Sequence, residues 1–328
     1  MTTAQAVKSK FADGYSFARE KLPWPLLKKI LTVVFFVLVA ALIIKQGATI
    51  EWGKVWQTLK ETSLTSLATG AGLGFLCYCV YASYDLLGRY LLRLKVAWPK
   101  MWFAAWLSYA FNLNLSSLVG GVAFRYRLYS RLGIKASDVT RILGISVATN
   151  WLGYVLLAGG LFVSGQIDPP DSWAVGKTAL QVIGAVFLVI VAAYVATCWR
   201  ASKREYTFKS TTVTLPPARI SLLQLVMACA HWTLMASVIY QFMADDVAFP
   251  TVFAVLLVSA LAGVITHIPG GLGVLEAVFI ALLAGQVEKT DILAGLFAYR
   301  CVFYLLPLAV ATPLYLMFEA STRNAAKK

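Results

Sequence analysis

Charge is scarce in this chain, and acid is scarcest. Charged residues are 13% of 328, about half the usual share of a soluble domain, and only 15 are Asp or Glu against 29 Lys or Arg. A chain with so little polar side chain does not clothe an ordinary water-soluble core. Histidine occurs twice, at His231 and His267, too few for a dedicated histidine metal site. The five cysteines, Cys77, Cys79, Cys198, Cys229 and Cys301, lie in or beside apolar runs and form no C-x-x-C spacing. They read as packed apolar thiols rather than ligands, and no metal or cofactor is expected. The chain also lacks G-x-S-x-G, H-E-x-x-H and a Walker loop, which argues against a serine hydrolase, a zincin and ATP binding.

What the chain has instead is apolar residues, 59% of the total, and they come in blocks. A membrane span needs about 20 consecutive apolar residues. The windows near that length are Ile30–Ile44, Leu64–Leu87, Ile142–Ser164, Ala179–Trp199, Ile220–Met243 and Ile292–Phe318. The first begins late, after a basic segment, and no small-x-small site follows it, so it reads as a retained anchor rather than a cleaved signal. Two further windows, 101–124 and 251–285, are interrupted by glycine and polar residues. The expectation is an all-α integral membrane protein with about six full transmembrane helices. Its parts are a basic N-terminus at 1–29, one polytopic domain at 30–318 and a tail at 319–328.

Lys and Arg mark cytoplasmic loops. They crowd before Ile30, at Arg89–Lys100, at Arg200–Arg219 and at Arg323–Lys328, whereas 243–250 has Asp245 and Asp246 and no cation. A net charge of +14 held in short loops beside spans points to a membrane surface, not nucleic acid. Both termini are then expected in the cytoplasm. One conflict arises: a single crossing by 101–124 would put Arg125, Arg127, Arg131, Lys135 and Arg141 outside. A re-entrant hairpin with its tip at Ser116–Gly121 removes it, and a second, from the opposite face, has its tip at His267–Gly273. Irregular backbone at membrane depth is tolerated only inside protein or along a wet cavity.

The two interrupted windows also align at an offset of 150 residues: Phe103-Ala104 with Phe253-Ala254, Gly120-Gly121 with Gly270-Gly271, Ile142-Leu143 with Ile292-Leu293, and Tyr154 with Tyr304. Leu/Ala-rich helices also match by chance. Taken as a repeat, the copies lie near 101–165 and 251–315, and the charge rule gives them opposite orientations. Inverted repeats of this kind hold a substrate at midplane on broken helices. Outside them, Trp52, Val55, Trp56 and Leu59 share one helical face, read as an interfacial helix or as a connector, and Lys203–Pro217 reads as a polar loop.

Charges inside apolar runs need a partner or a function. Glu276 and Arg300 are such charges, and either form a structural ion pair or meet an anionic headgroup; the two can both hold. Arg125 and Arg127 either anchor to lipid heads or receive a phosphate, for which the planar guanidinium suits. Pro269-Gly270-Gly271-Leu272-Gly273 breaks a helix and restarts it, which aims N–H groups at an anion or lets helices pack closely. His267 reads as a hydrogen-bonding tip residue. Asn112, Asn114 and Asn150 read as interhelical hydrogen-bonders, and Asp85 and Arg89, spaced i,i+4, as a local pair.

The run Val264-Ile-Thr-His-Ile-Pro-Gly-Gly-Leu-Gly-Val-Leu-Glu-Ala, with Tyr109-Ala-Phe-Asn-Leu-Asn, Gly120-Gly121, Arg125-Tyr-Arg-Leu-Tyr-Ser-Arg-Leu-Gly133 and Thr149-Asn-Trp-Leu-Gly-Tyr154, resembles the YbhN-like inner-membrane family over nearly the whole chain. That family resembles the transmembrane flippase domain of lysylphosphatidylglycerol synthase, the multiple peptide resistance factor, in which a separate soluble domain makes the aminoacylated lipid that the membrane domain moves. The resemblance implies that Pro269, Gly270, Gly271, Gly273, Glu276 and Arg300 are signature residues. Since the chain ends at Lys328, just past the last apolar run, the soluble aminoacyl-transferase domain is expected to be absent and the chain not to be an enzyme. The expected function is a lipid translocator in a bacterial inner membrane. Its partner would be a phospholipid or polyprenyl-linked lipid, bound through Arg300, Glu276, Pro269, Gly270, Gly271, Gly273 and His267, with Gly120, Gly121, Arg125, Arg127, Asn112 and Asn150. The alternatives are a non-transporting envelope scaffold and a membrane subunit of a lipid-modifying enzyme.

Overall fold

The structure is a computed structural model that describes residues 52–115, 122–165, 176–208, 211–243, 247–266, 271–283 and 285–325. It is almost wholly helical. In chain order the helices are α1 (Trp52–Glu61), α2 (Leu64–Leu91), α3 (Trp98–Leu115), α4 (Phe124–Arg131), α5 (Ala136–Val163), α6 (Lys177–Arg200), α7 (Ala218–Tyr240), α8 (Phe249–Thr266), α9 (Val274–Leu283), α10 (Lys289–Arg300) and α11 (Leu306–Ala325). Between α10 and α11 the chain stays helical but widens to a π turn over Cys301–Leu305.

Six helices among the described residues are long and apolar enough to cross a bilayer: α2, α5, α6, α7, α8, and the continuous α10–α11 stretch over Lys289–Phe318. Five of them coincide with expected spans. The expected anchor Ile30–Ile44 lies outside the described residues. The sixth, α8, is the first arm of the second interrupted window; its 18 residues reach about 27 Å, whereas the 10 of α9 reach only about 15 Å. α8 packs along α9 as α3 does along α4, and the expected hairpin tips at 116–121 and 267–270 lie outside the described residues. α3 and α8 are each 18 residues, and in chain order each precedes a short helix, α4 or α9.

The centre of the bundle is α2, α5 and α7, which pack on one another. Small residues let them approach. A Cβ placed on Gly153 of α5 would overlap the side chain and backbone of Ala228 on α7. Polar side chains tie α5 and α7 to each other and to α6 and α8. Tyr194 Oη of α6 donates to Gln224 Oε1 of α7 at 2.7 Å, and Gln224 Nε2 donates to Thr149 Oγ1 of α5 at 2.8 Å. Trp232 Nε1 donates to the Asn150 carbonyl at 3.2 Å, and Tyr154 Oη to the Leu257 carbonyl at 2.9 Å. Lipid cannot reward helix contact through apolar burial, so close packing and such bonds hold the bundle. α6 lies outermost and exposes Val182, Val186, Val189 and Ile190, as a lipid-facing surface does.

The stretch expected to be a plain loop holds a small β-hairpin, Glu205–Phe208 paired antiparallel with Thr211–Thr214. Its threonines and aromatics favour extended backbone. Arg141 of α5 fixes it, donating to Thr214 Oγ1 at 2.6 Å and to Glu205 Oε1 at 3.3 Å.

The Gly153 contact carries a prediction. Gly153→Val should lower stability by about 1–3 kcal/mol through overpacking, and Gly153→Ala by less. Denaturant midpoints of the purified protein in detergent would check it.

Candidate functional site

The structure brings Gly271, Gly273, Glu276 and Arg300 together. Their neighbours His267, Pro269 and Gly270, and Gly120 and Gly121 of the first window, lie outside the described residues. Gly271 and Gly273 have φ of +58° and +79°, left-handed values that favour glycine. Among the described residues nothing lies within 4 Å of where a Cβ would project from either, so backbone shape is what demands glycine here.

The turn delivers the chain into α9 with Glu276 in its first turn. Glu276 Oε2 accepts the Gly273 N–H at 2.9 Å, half of a capping box, which meets one of the N–H groups a helix start leaves unpaired. Arg300, the last residue of α10, donates to the same carboxylate twice, from Nε to Oε1 at 2.6 Å and from Nη2 to Oε2 at 3.1 Å. Nη2 also lies 3.3 Å from the Gly271 carbonyl. The guanidinium sits 5.4 Å from the Tyr304 ring centroid. The pair expected from two lone charges in apolar runs is therefore formed. It is not sealed, because Arg300 and Glu276 side chains keep 14% and 20% exposure.

Immediately after Arg300 comes the π turn. Such turns interrupt the regular bonding and recur at functional positions. Pro307 offers no N–H to Phe303, four residues back. Tyr78 Oη of α2 donates to that Phe303 carbonyl at 2.9 Å, and Asn114 Nδ2 of α3 donates to the Tyr304 carbonyl at 3.2 Å. The backbone just past Arg300 is thus held by side chains from α2 and α3.

Arg125 is placed elsewhere. It is 3% exposed and donates from Nε to Asp85 Oδ2 at 3.0 Å; Asp85 is fully buried. Tyr129 Oη donates to the same oxygen and Ser146 Oγ to Asp85 Oδ1. Three elements, α2, α4 and α5, meet on this carboxylate. The local Asp85–Arg89 pair expected from spacing does not form. Arg89, near the helix end, donates instead to the Val96 carbonyl at 2.5 Å. Arg127 is exposed on α4. Asn112 is half-buried on α3, and Asn150 on α5 leaves its buried Oδ1 without a partner among the described residues.

Sequence reasoning also missed a cluster around His231. Its Nδ1 lies 3.2 Å from Cys77 Sγ and its Nε2 3.4 Å from Tyr109 Oη, among the rings of Tyr81 and Tyr84. A thiol beside an imidazole is a nucleophile–base arrangement, but Cys77 is fully buried and His231 nearly so. Substrate has no approach, and the cluster acts as packing. Among the described residues no group of three His, Cys, Asp or Glu could hold a metal ion.

A family model described as lysylphosphatidylglycerol synthase TM region matches residues 29–311, a span that includes both charge pairs. Over 306 residues the chain is 42% identical to inner membrane protein YbhN of Escherichia coli (strain K12), covering 93% of this chain and 96% of that one. It is 25% identical over 303 residues to phosphatidylglycerol lysyltransferase of Staphylococcus haemolyticus (strain JCSC1435), covering 87% of this chain and 33% of that protein. The lysyltransferase of Bacillus subtilis (strain 168) is 23% identical, with 91% and 35% covered. The chain thus spans nearly all of YbhN and about a third of each lysyltransferase.

The two ion pairs should respond differently to mutation. Asp85→Asn or Arg125→Met strands a buried partner and should cost about 3–5 kcal/mol, while the double replacement Asp85→Leu/Arg125→Met should recover most of it. Glu276→Gln should cost less, since water reaches that pair. Unfolding midpoints of the purified variants would test both statements.

Proposed function

Because this chain belongs to the lysylphosphatidylglycerol synthase TM-region family and is a multi-pass inner-membrane protein, we propose that it translocates a phospholipid, or another lipid with an anionic headgroup, across the inner membrane. On this reading it is a carrier and not an enzyme, its termini face the cytoplasm, and its two broken-helix units dip from opposite faces toward a wet pocket. The observation that carries the reading is the half-open Glu276–Arg300 pair at the start of α9. A helix start and a guanidinium both favour an anion, and in the unloaded protein Glu276 supplies it from within. A headgroup phosphate competes with Glu276 for the same N–H donors, so the carboxylate holds the site together when empty and yields when loaded. Among the described residues the space beside Gly271 and Gly273 is open, which gives the headgroup room next to the backbone, while the acyl tails remain in lipid.

The test is headgroup accessibility in proteoliposomes holding the purified protein and reporter-labelled phospholipids or polyprenyl phosphates. Wild type should accelerate exchange between leaflets. Arg300→Gln should abolish the acceleration, and Glu276→Gln should bind the headgroup more tightly but release it more slowly. Exchange no faster with protein than without it would reject the proposal. A scaffold role predicts instead that Arg300→Gln leaves the cellular phenotype intact.

A further inference from the structure

Away from the Glu276–Arg300 pair, a cleft of about 970 Å³ opens where the loop between α2 and α3 meets the turn between α4 and α5. Lys95, Lys100, Arg131 and Lys135 line it and are exposed; Asp138 is the one acid among its lining residues. The three lysines form no ion pair among the described residues. Among the apolar residues of its wall are Phe103 of α3 and Phe318 of α11, with ring centroids 6.2 Å apart. Phe103 also lines a second cavity, of about 330 Å³, between α2, α3 and α11. That groove is almost wholly apolar, formed by residues such as Phe75, Trp102, Trp106, Pro307 and Val310. A basic cleft and an apolar groove therefore share one wall.

We propose that the two cavities are a single binding site for an anionic phospholipid, with the phosphate among the lysines and Arg131 and one acyl chain in the groove. Four cations around one acid make a strongly positive cleft that a phosphate neutralises. A soluble phosphate fills only the cleft, and an uncharged lipid only the groove; an anionic lipid matches both. Phe75 and Val310 are exposed on the groove side, where a chain enters from the bilayer, and Trp98, 59% exposed beside the cleft, suits the membrane–water boundary. By the same charge rule the cleft faces the anionic cytoplasmic leaflet. Binding here requires neither Arg300 nor any translocation.

Native mass spectrometry of the full chain released from nanodiscs, made from equal parts phosphatidylglycerol and phosphatidylethanolamine, reads the site directly. Wild type should retain phosphatidylglycerol preferentially, and preference should fall about fivefold for each of Lys95, Lys100 and Lys135 changed to Gln. The matching Lys→Arg variants should keep it, which separates charge from folding. Val310→Trp, which fills the groove, should lower retention with the cleft intact. Retention unchanged by the Gln variants, or unchanged by Val310→Trp, overturns the proposal. So does displacement of the lipid by millimolar inorganic phosphate, which would assign the cleft to a soluble anion. Exchange between leaflets is a separate readout, so this site can fail while the translocator reading stands, and the reverse.

Discussion

Hydrocarbon offers nothing to a polar group, and this one fact governs where the chain is allowed to break and where it is allowed a charge. An unpaired N–H, C=O or charge in that solvent costs several kcal/mol. The restart of the chain at α9 is satisfied by Glu276 on the Gly273 N–H and by Arg300 on Glu276 and the Gly271 carbonyl. Where Pro307 leaves the last helix short of a donor, Tyr78 and Asn114 reach across to the Phe303 and Tyr304 carbonyls. The π turn is thus held partly by side chains of α2 and α3. Helix breaks and charges occur together because each supplies what the other lacks.

The same constraint separates the two ion pairs by role. Asp85 and Arg125 are sealed; Tyr129 shares the carboxylate oxygen that Arg125 binds, and Ser146 takes up the other. An anion would have to break that network in a dry interior, at a cost no headgroup contact offsets. Glu276 and Arg300 remain partly exposed, and among the described residues the space beside Gly271 and Gly273 is open. On the proposed reading, it is there that the carboxylate gives way to another anion. Two pairs of similar chemistry in one chain therefore divide into a structural clasp and a candidate binding centre.

How much of this was legible in the sequence depended on whether a residue's partner could be inferred without knowing the packing. Spans such as Lys177–Arg200 were legible because membrane length and apolar content leave little choice. Glu276 and Arg300 were legible as partners because each stood alone as a charge in an apolar run. Asp85 was not, because Arg89 offered a nearer cation on the same helix, and only the crossing of α2, α4 and α5 hands it to Arg125 instead. The His231–Cys77 contact spans 154 residues of chain and leaves no local trace. The basic cleft joins two loops whose lysines, read singly, mark only a cytoplasmic face. The β-hairpin at Glu205–Thr214 escaped because strands this short carry no periodicity to read.

Everything proposed for Arg300 rests on two broken-helix units that enter from opposite faces of the bilayer. Single cysteines introduced at Lys135 and at Gln286, scored with a membrane-impermeant maleimide against the unsubstituted chain, measure this directly. The account predicts that position 286 is labelled in intact cells and position 135 only after the membrane is permeabilised. Labelling of position 135 from outside would contradict it and remove the shared pocket.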